Sequence, residues 1–541
     1  MEARTAEELP RTGRPSSTVA GIGGAGSGWG AARAVRSLAE RRPVSFWWGV
    51  SLALAGLTAA AWPTVPSYDP WSWIVWGREV TDPHISFFIG SGPSWKPLPF
   101  FFTLVYGALG GAAPTLWVIT ARTGGIAGLI GAWRLSAQLC RRAGLPWWSG
   151  AVAGVLAAVG IVLTAPSSGW TYYFFRGASE PLLIGVWVWA IDRLIARRHW
   201  QAFMLVVAEG LMRPEAWPFL VVYGVWLFWR MPSMRVWVVL GWIVQPVGWF
   251  VPPWISTGQP FLAATHAADY NGGLTAGLDR LKGVLDRGLG IQPLPLLALG
   301  VFAVLLALWL GRAALPRGRA ALVHWFDSDP SEVPIVVGLA IATIAWWAIV
   351  VAMTEDGYPG LERFYLPAAA MICVLSGYGL VRGAALLGEL VARGAAGRIA
   401  VACVAAVAVL AGSTHFVGAR WAYAKQQEPL AAIAVKRIAE LGTAVGVLGG
   451  SSRILPCRSS VVTINHSLQT ALAWKLGTTL ARVQTVMTKP GIAFVGPHDS
   501  IDGGEPLVLY HFQARVLARV SAWSLQQVWP VGEPLPACVG S

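Results

Sequence analysis

A small set of acids and bases stands out in an otherwise apolar chain. Between Tyr68 and Pro99 the run YDPWSWIVWGREVTDPHISFFIGSGPSWKPLP holds two carboxyls of interest, Asp69 and Glu79, and a lysine among prolines, Lys96. Further on come Arg176 and Glu180, the triplet Arg213-Pro214-Glu215, the acids Glu355 and Asp356, and Glu362-Arg363. A carboxylate can take a proton from a hydroxyl, and Lys or Arg can hold an anionic leaving group. Asp69 is the candidate base. Pro70 biases its backbone towards an extended conformation, and the alternative role is an N-cap for WSWIVW. Pro214 interrupts an apolar run, and freed backbone groups are tolerated there beside a cavity or other protein. Glu209 lies four residues before Arg213, so it either pairs with that arginine on one helix face or joins the site. Glu355 and Asp356 read as ordinary loop acids.

The elements that carry these residues belong to a membrane protein. Of 541 residues, 55% are hydrophobic and 13% charged, against about 25% charged in soluble domains. The net charge of +14 does not indicate nucleic acid, because most Lys and Arg fall in short loops between apolar runs, as cytoplasmic loops do. Cys140 lies beside a basic loop, and Cys373 and Cys403 lie within apolar runs. Cys457 and Cys538 both fall near the C-terminus and could pair if that part is outside the cytoplasm. No CxxC or HExxH occurs, so no metal site and no cofactor are implied.

Apolar length and the positions of arginines predict about eleven spans, at 45–62, 114–138, 149–165, 181–195, 200–212, 216–230, 236–253, 293–311, 334–353, 364–381 and 399–414. The expected organisation is a cytoplasmic, disordered tail over 1–43, a transmembrane domain over 44–414 and an extracytoplasmic α/β domain over 415–541. GIGGAG in the tail formally matches GxGxxG, but no strand precedes it. A first outer loop, 63–113, lies on the membrane surface and includes a short juxtamembrane or re-entrant helix over 98–111. Its tryptophans, Trp71, Trp73, Trp76 and Trp95, and Trp62 before them, are expected where lipid meets water. LDRLKGVLDRGL reads as an amphipathic surface helix. Beyond 415, AVGVLGG, SVVTIN, IAFVG and LVLYHF read as strands, and AVKRIAELG and SLQTALAWKLG as helices. Asn465-His466-Ser467 matches a glycosylation sequon, a triplet common by chance. The fold class is thus an all-α polytopic membrane protein with a small C-terminal α/β domain, with the acids and bases gathered on its outer face.

In these residues the chain resembles the GT-C-type membrane glycosyltransferases, nearest to the branch of protein O-mannosyltransferases and lipid A aminoarabinose transferases. Lys96-Pro97-Leu98-Pro99 is similar to a Lys-Pro-Pro-Leu motif after the first loop, Arg122 to an arginine early in the next span, and Arg213-Pro214-Glu215 to an Arg-Pro-Glu break. Arg363-Phe364-Tyr365-Leu366-Pro367 is similar to an Arg-Tyr/Phe-x-Leu-Pro entry into a late span. The family's paired Asp-Glu is not matched, since Pro70 follows Asp69. The resemblance implies transfer of a sugar from a polyprenyl-phosphate donor to a cell-envelope glycan, lipid or protein hydroxyl outside the plasma membrane, with inversion. It implies Asp69 as base, Lys96, Arg213 and Arg363 on the donor phosphate, and Glu79, Glu180, Glu215 and Tyr365 near substrate. The competing readings are a transporter or lipid flippase and a membrane scaffold. A transporter favours internal repeats and charges at the bilayer midplane, and neither is visible here.

Overall fold

The computed structural model describes residues 41–82, 87–90, 92–269, 277–312, 331–496 and 511–540. The expected tail lies almost wholly outside these residues, as does most of LVLYHF. Residues 1–47 and 48–541 form separate units. The helical bundle, the sheet and the candidate site all belong to the second.

The helices are α1 (Pro43–Ala61), α2 (Tyr68–Thr81), α3 (Pro97–Gly107), α4 (Ala113–Arg142), α5 (Trp147–Val162), α6 (Trp170–Phe174), α7 (Glu180–Ile195), α8 (His199–Gly210), α9 (Trp217–Arg230) and α10 (Arg235–Thr257). They continue as α11 (Leu262–Asp269), α12 (Leu278–Gly290), α13 (Leu294–Gly311), α14 (Val333–Glu355), α15 (Leu366–Val391), α16 (Ala395–Val447) and α17 (Gln469–Lys475). Among the described residues seven helices are long and apolar enough to cross a membrane. The other four expected spans correspond to the shorter helices α5, α7, α8 and α9, of 16, 16, 12 and 14 residues. The chain is a multi-pass helical membrane protein with a small α/β part at its C-terminal end.

Helix α15 is the hub of the bundle, buried along most of its length between α5, α13 and α16. Helices α4 and α7 approach backbone to backbone at Gly124 and Gly185, where a Cβ on either would run into the other helix. The same device seats α2 on α3: a Cβ at Gly77 would strike the Thr103 carbonyl, and one at Gly107 the Gly77 backbone.

Three expectations are corrected. The stretch after Ser67 is no surface loop: Tyr68–Thr81 is a 14-residue helix, and the described residues 87–90 and 92–96 form a strap held against it. Its tryptophans are core residues: Trp71, Trp73, Trp76 and Trp95 are buried, and only Trp62 is exposed. The indole N–H of Trp73 donates to Ser94 O (2.9 Å), that of Trp76 to Phe88 O (2.8 Å) and that of Trp95 to Gly248 O (3.0 Å), so these rings staple the strap down. AVGVLGG is not a strand, because α16 runs unbroken through residue 415 and on to Val447.

The C-terminal sheet has the order β2-β1-β3-β5-β4, from β1 (Val461–Ile464), β2 (Val483–Gln484), β3 (Gly491–Val495), β4 (Phe512–Val520) and β5 (Trp523–Pro530). The first three are parallel, and the hairpin β4–β5 adds antiparallel to β3. Cys457 and Cys538 form a disulfide across a separation of 81 residues. Closing so long a loop stabilises the fold by about 4 kcal/mol through the unfolded chain. Cys457→Ser with Cys538→Ser should therefore expose the sheet to limited proteolysis at temperatures the parent resists. Equal protease resistance would show that the bridge is dispensable.

Candidate active site

The site is built where several helices begin. Lys96 is extended (φ −142°, ψ 118°) ahead of Pro97, which opens α3. Arg213 is likewise extended (φ −147°, ψ 124°) before Pro214, in the break between α8 and α9 that the proline predicts. Leu98 N–H donates to Leu211 O at 3.1 Å and ties these two starts together. Glu180 is the first residue of α7, where the helix dipole favours a carboxylate. Arg363 lies in the 3₁₀ turn Glu362–Tyr365 that leads into α15.

These four side chains share one atom. Glu180 Oε1 is 2.9 Å from Arg213 Nη2, 3.5 Å from Lys96 Nζ and 3.9 Å from Arg363 Nη1. Arg363 Nη1 is also 4.0 Å from Asp69 Oδ2, and Arg213 Nη1 is 3.8 Å from Glu215 Oε1. Arg213 lies 4.5 Å over the Phe364 ring and Lys96 5.4 Å from that of Trp73. Asp69 is in the first turn of α2 and not extended, because a proline fits a first turn whose N–H groups lack helical partners. Its Oδ1 accepts the Ser94 N–H at 3.2 Å, which fixes the carboxylate and leaves Oδ2 towards Arg363.

A cavity of about 1090 Å³ opens beside this cluster, and Asp69, Arg213, Arg363, Tyr173, Tyr358 and His466 are on its wall. Lys96 and Glu180 are buried and do not line it. Lys96 Nζ donates to Ser179 Oγ at 2.8 Å and lies behind Glu180. The other sequence candidates are placed elsewhere. Glu79 is buried against the strap, accepts the Phe88 N–H at 3.0 Å and is pushed up by burial to about 8. Glu215 is fully buried beside Arg213. Tyr365 donates its hydroxyl to Val284 O at 3.0 Å and is also fully buried. Arg122 is buried too and donates to Trp62 O at 3.0 Å. Glu209 does not pair with Arg213: its carboxyl oxygens have no hydrogen-bond partner, and the arginine turns to Glu180 instead. Glu355 and Asp356 are exposed.

Several wall residues carried no signal in the sequence. Tyr358 stacks on Phe364 with centroids 4.8 Å apart. His466 comes from the C-terminal part and packs its ring, tilted by 33°, against that of Tyr68, 4.2 Å between centroids. That contact is one of several that dock the C-terminal part on α2. Tyr68 donates its hydroxyl to Gln469 Oε1 at 2.8 Å. Arg78 reaches the carbonyl of Trp474 in the last turn of α17 (3.2 Å), where a helix end favours a cation, and that of Thr478 just beyond the helix (2.7 Å).

Burial pushes the Lys96 ammonium down to about 8, while Glu180 pulls it the other way. Between about 8 and the ordinary 10.5, the unfolded chain holds this proton and the folded one does not, so stability rises with pH across that window. Anion binding goes the opposite way. As Lys96 loses its charge, Glu180 is left to the two arginines, and the positive surplus facing the cavity shrinks. Affinity for a phosphate in the cavity should fall as pH rises through 8, and Lys96→Met should abolish that dependence. A pH profile that survives in Lys96→Met would assign it to another group.

Two comparisons, with protein-family models and with curated proteins, find no match. Among solved structures the chain is similar to ArnT from Cupriavidus metallidurans in the apo state, with a TM-score of 0.47 and 14% identity over 93% of this chain and 98% of that one. At that distance no residue role is carried across.

Proposed function

We propose that this protein is a membrane glycosyltransferase that moves a sugar from a polyprenyl-phosphate carrier to a hydroxyl on the extracytoplasmic side of the plasma membrane. The observation that carries this reading is the meeting of Asp69, Arg213 and Arg363 on the wall of one cavity. Asp69 Oδ2 takes the proton as the acceptor oxygen attacks the anomeric carbon. The bond from that carbon to the phosphate oxygen breaks, and its electron pair leaves on the phosphate. Arg213 and Arg363 stabilise the growing charge by charge-assisted hydrogen bonds. Attack opposite the leaving phosphate inverts the anomeric centre. Glu180 holds the cations together before the donor arrives. The cavity wall carries three arginines, Arg176, Arg213 and Arg363, against two carboxyls, Asp69 and Glu362, a balance that suits a phosphate. No step calls on a metal or cofactor.

The orientation follows from the same reading: N-terminus cytoplasmic, cavity and C-terminal domain outside, where a disulfide persists. The acceptor belongs to the cell envelope, as a glycan, lipid or protein. Supplying radiolabelled polyprenyl-phospho-sugars to membranes containing the protein tests this. Label from one donor should move to an envelope component. No movement from any such donor, with the protein folded and inserted, overturns the reading.

A further inference from the structure

One part of the cavity wall is nearly continuous in the chain: Tyr358, Pro359, Leu361, Glu362, Arg363 and Phe364 all line it. Two glycines in the left-handed region, Gly357 (φ 102°) and Gly360 (φ 54°), bracket Tyr358 and Pro359. Arg363 Nη1 stands 3.9 Å from Glu180 and 4.0 Å from Asp69, both beyond hydrogen-bond length. The place of its guanidinium therefore depends on the backbone of this stretch, and α12 holds that backbone from behind. Arg287 Nη1 donates to Pro359 O at 3.1 Å and to Gly360 O at 3.2 Å. One turn earlier, Val284 O accepts the Tyr365 hydroxyl at 3.0 Å. Arg287 itself does not line the cavity. Two turns before it on the same face of α12, Arg280 donates to Thr354 O at 3.5 Å and Glu355 O at 3.3 Å, at the C-terminal end of α14. Neither Thr354 nor Glu355 lines the cavity. The two arginines thus hold different things: Arg280 a helix end, which favours a cation, and Arg287 the cavity wall.

We propose that Arg287 is a positioning residue for sugar transfer: by gripping the Pro359 and Gly360 carbonyls it sets Arg363 where the donor phosphate is stabilised. The inference rests on the glycosyltransferase reading and adds to it a residue that touches no substrate. Hydrogen bonds from a guanidinium are charge-assisted and so stronger than those between neutral groups. Two of them on adjacent carbonyls fix both the place and the tilt of the turn. Wall residues lie on either side of the grip. Arg363 follows Gly360 by three residues, and Tyr358, just before Pro359, stacks on Phe364. Without the grip, a turn bracketed by two glycines is free to shift, and Arg363 shifts with it. A binding group misplaced by about 1 Å can cost 10²-fold. An arginine that served stability alone would behave otherwise: its loss would lower the melting temperature and leave donor binding as it was. Arg280 supplies that comparison on the same helix.

The test uses the full-length protein in detergent and the labelled donor it accepts. It reads the donor KM, the thermal midpoint and the Kd of labelled polyprenyl monophosphate, which can be followed where transfer is slow. Arg287→Met keeps much of the stem and removes the hydrogen-bond donors; it should raise the donor KM and the Kd about tenfold. Arg287→Lys, whose ammonium can still donate to both carbonyls, should recover most of that loss. Arg280→Met should lower the thermal midpoint by a similar amount and leave the donor KM within twofold of the parent. In an Arg363→Met background, Arg287→Met should change the Kd less than twofold further, because the residue it acts through is already gone. A donor KM within twofold of the parent in Arg287→Met overturns the inference. So does an equal rise in Arg280→Met, or a full tenfold loss of phosphate binding in the Arg363→Met background. Should Arg287→Met not fold, Gly360→Ala disturbs the same turn at its left-handed residue; there a raised donor KM supports the grip and an unchanged one overturns it. Failure of the underlying reading looks different: the parent itself moves no sugar from any donor.

Discussion

Asp69→Asn should lower sugar transfer by about 10²–10⁴-fold, the range for losing a positioned general base. The amide is the same size and can still accept the Ser94 N–H that holds the carboxylate. The α2 start and its docking on the C-terminal domain are therefore kept, and the donor KM should stay close to that of the parent. The check is a steady-state assay with the donor saturating, together with a folding readout such as a size-exclusion profile in detergent. Transfer within threefold of the parent would remove Asp69 from the proton transfer and leave the cavity without a base.

Glu180→Gln should have the largest effect on stability. Glu180 Oε1 is within 4 Å of Lys96, Arg213 and Arg363, and its side chain is almost wholly buried. Removing its charge leaves cations crowded together with too few counter-ions. Breaking a buried pair from one side costs about 3–5 kcal/mol. The thermal midpoint of the detergent-solubilised protein should fall by several degrees. Adding Lys96→Met should restore part of it, because one uncompensated cation is then gone. If the single and double variants melt with the parent, Glu180 does not hold the cluster together. A polyprenyl phosphate should also restore Glu180→Gln, since it brings the missing negative charge.

Much of this cluster could be read from the residues. Asp69, Lys96, Glu180 and Arg213 each stand directly before a proline, and Arg363 stands shortly before Pro367. Proline favours the first turn of a helix, so charges before prolines gather at helix starts, and starts on one side of the membrane come together. What could not be read was which way each side chain turns. Lys96 faces Glu180 rather than the cavity, and Glu79 and Tyr365 turn into the protein. Those outcomes depend on packing between distant segments. The tryptophans misled for the same reason: a Trp-rich helix capped by other protein resembles one facing lipid until its partners are known. His466 was out of reach because its neighbour Gln469 meets Tyr68 across 401 residues. The strand expected at AVGVLGG failed because short apolar runs of small and branched residues suit either helix or strand.

At the centre of the proposed mechanism, a carboxylate and a group of cations act together on a lipid-linked phosphate. The most direct measurement follows purified protein in vesicles containing a doubly labelled polyprenyl-phospho-sugar, one label on the sugar and one on the phosphate. Each sugar transferred is expected to leave one polyprenyl monophosphate behind, and Asp69→Asn is expected to stop both together. Movement of the intact lipid across the vesicle with sugar and phosphate still joined would contradict this mechanism and mark the protein as a transporter.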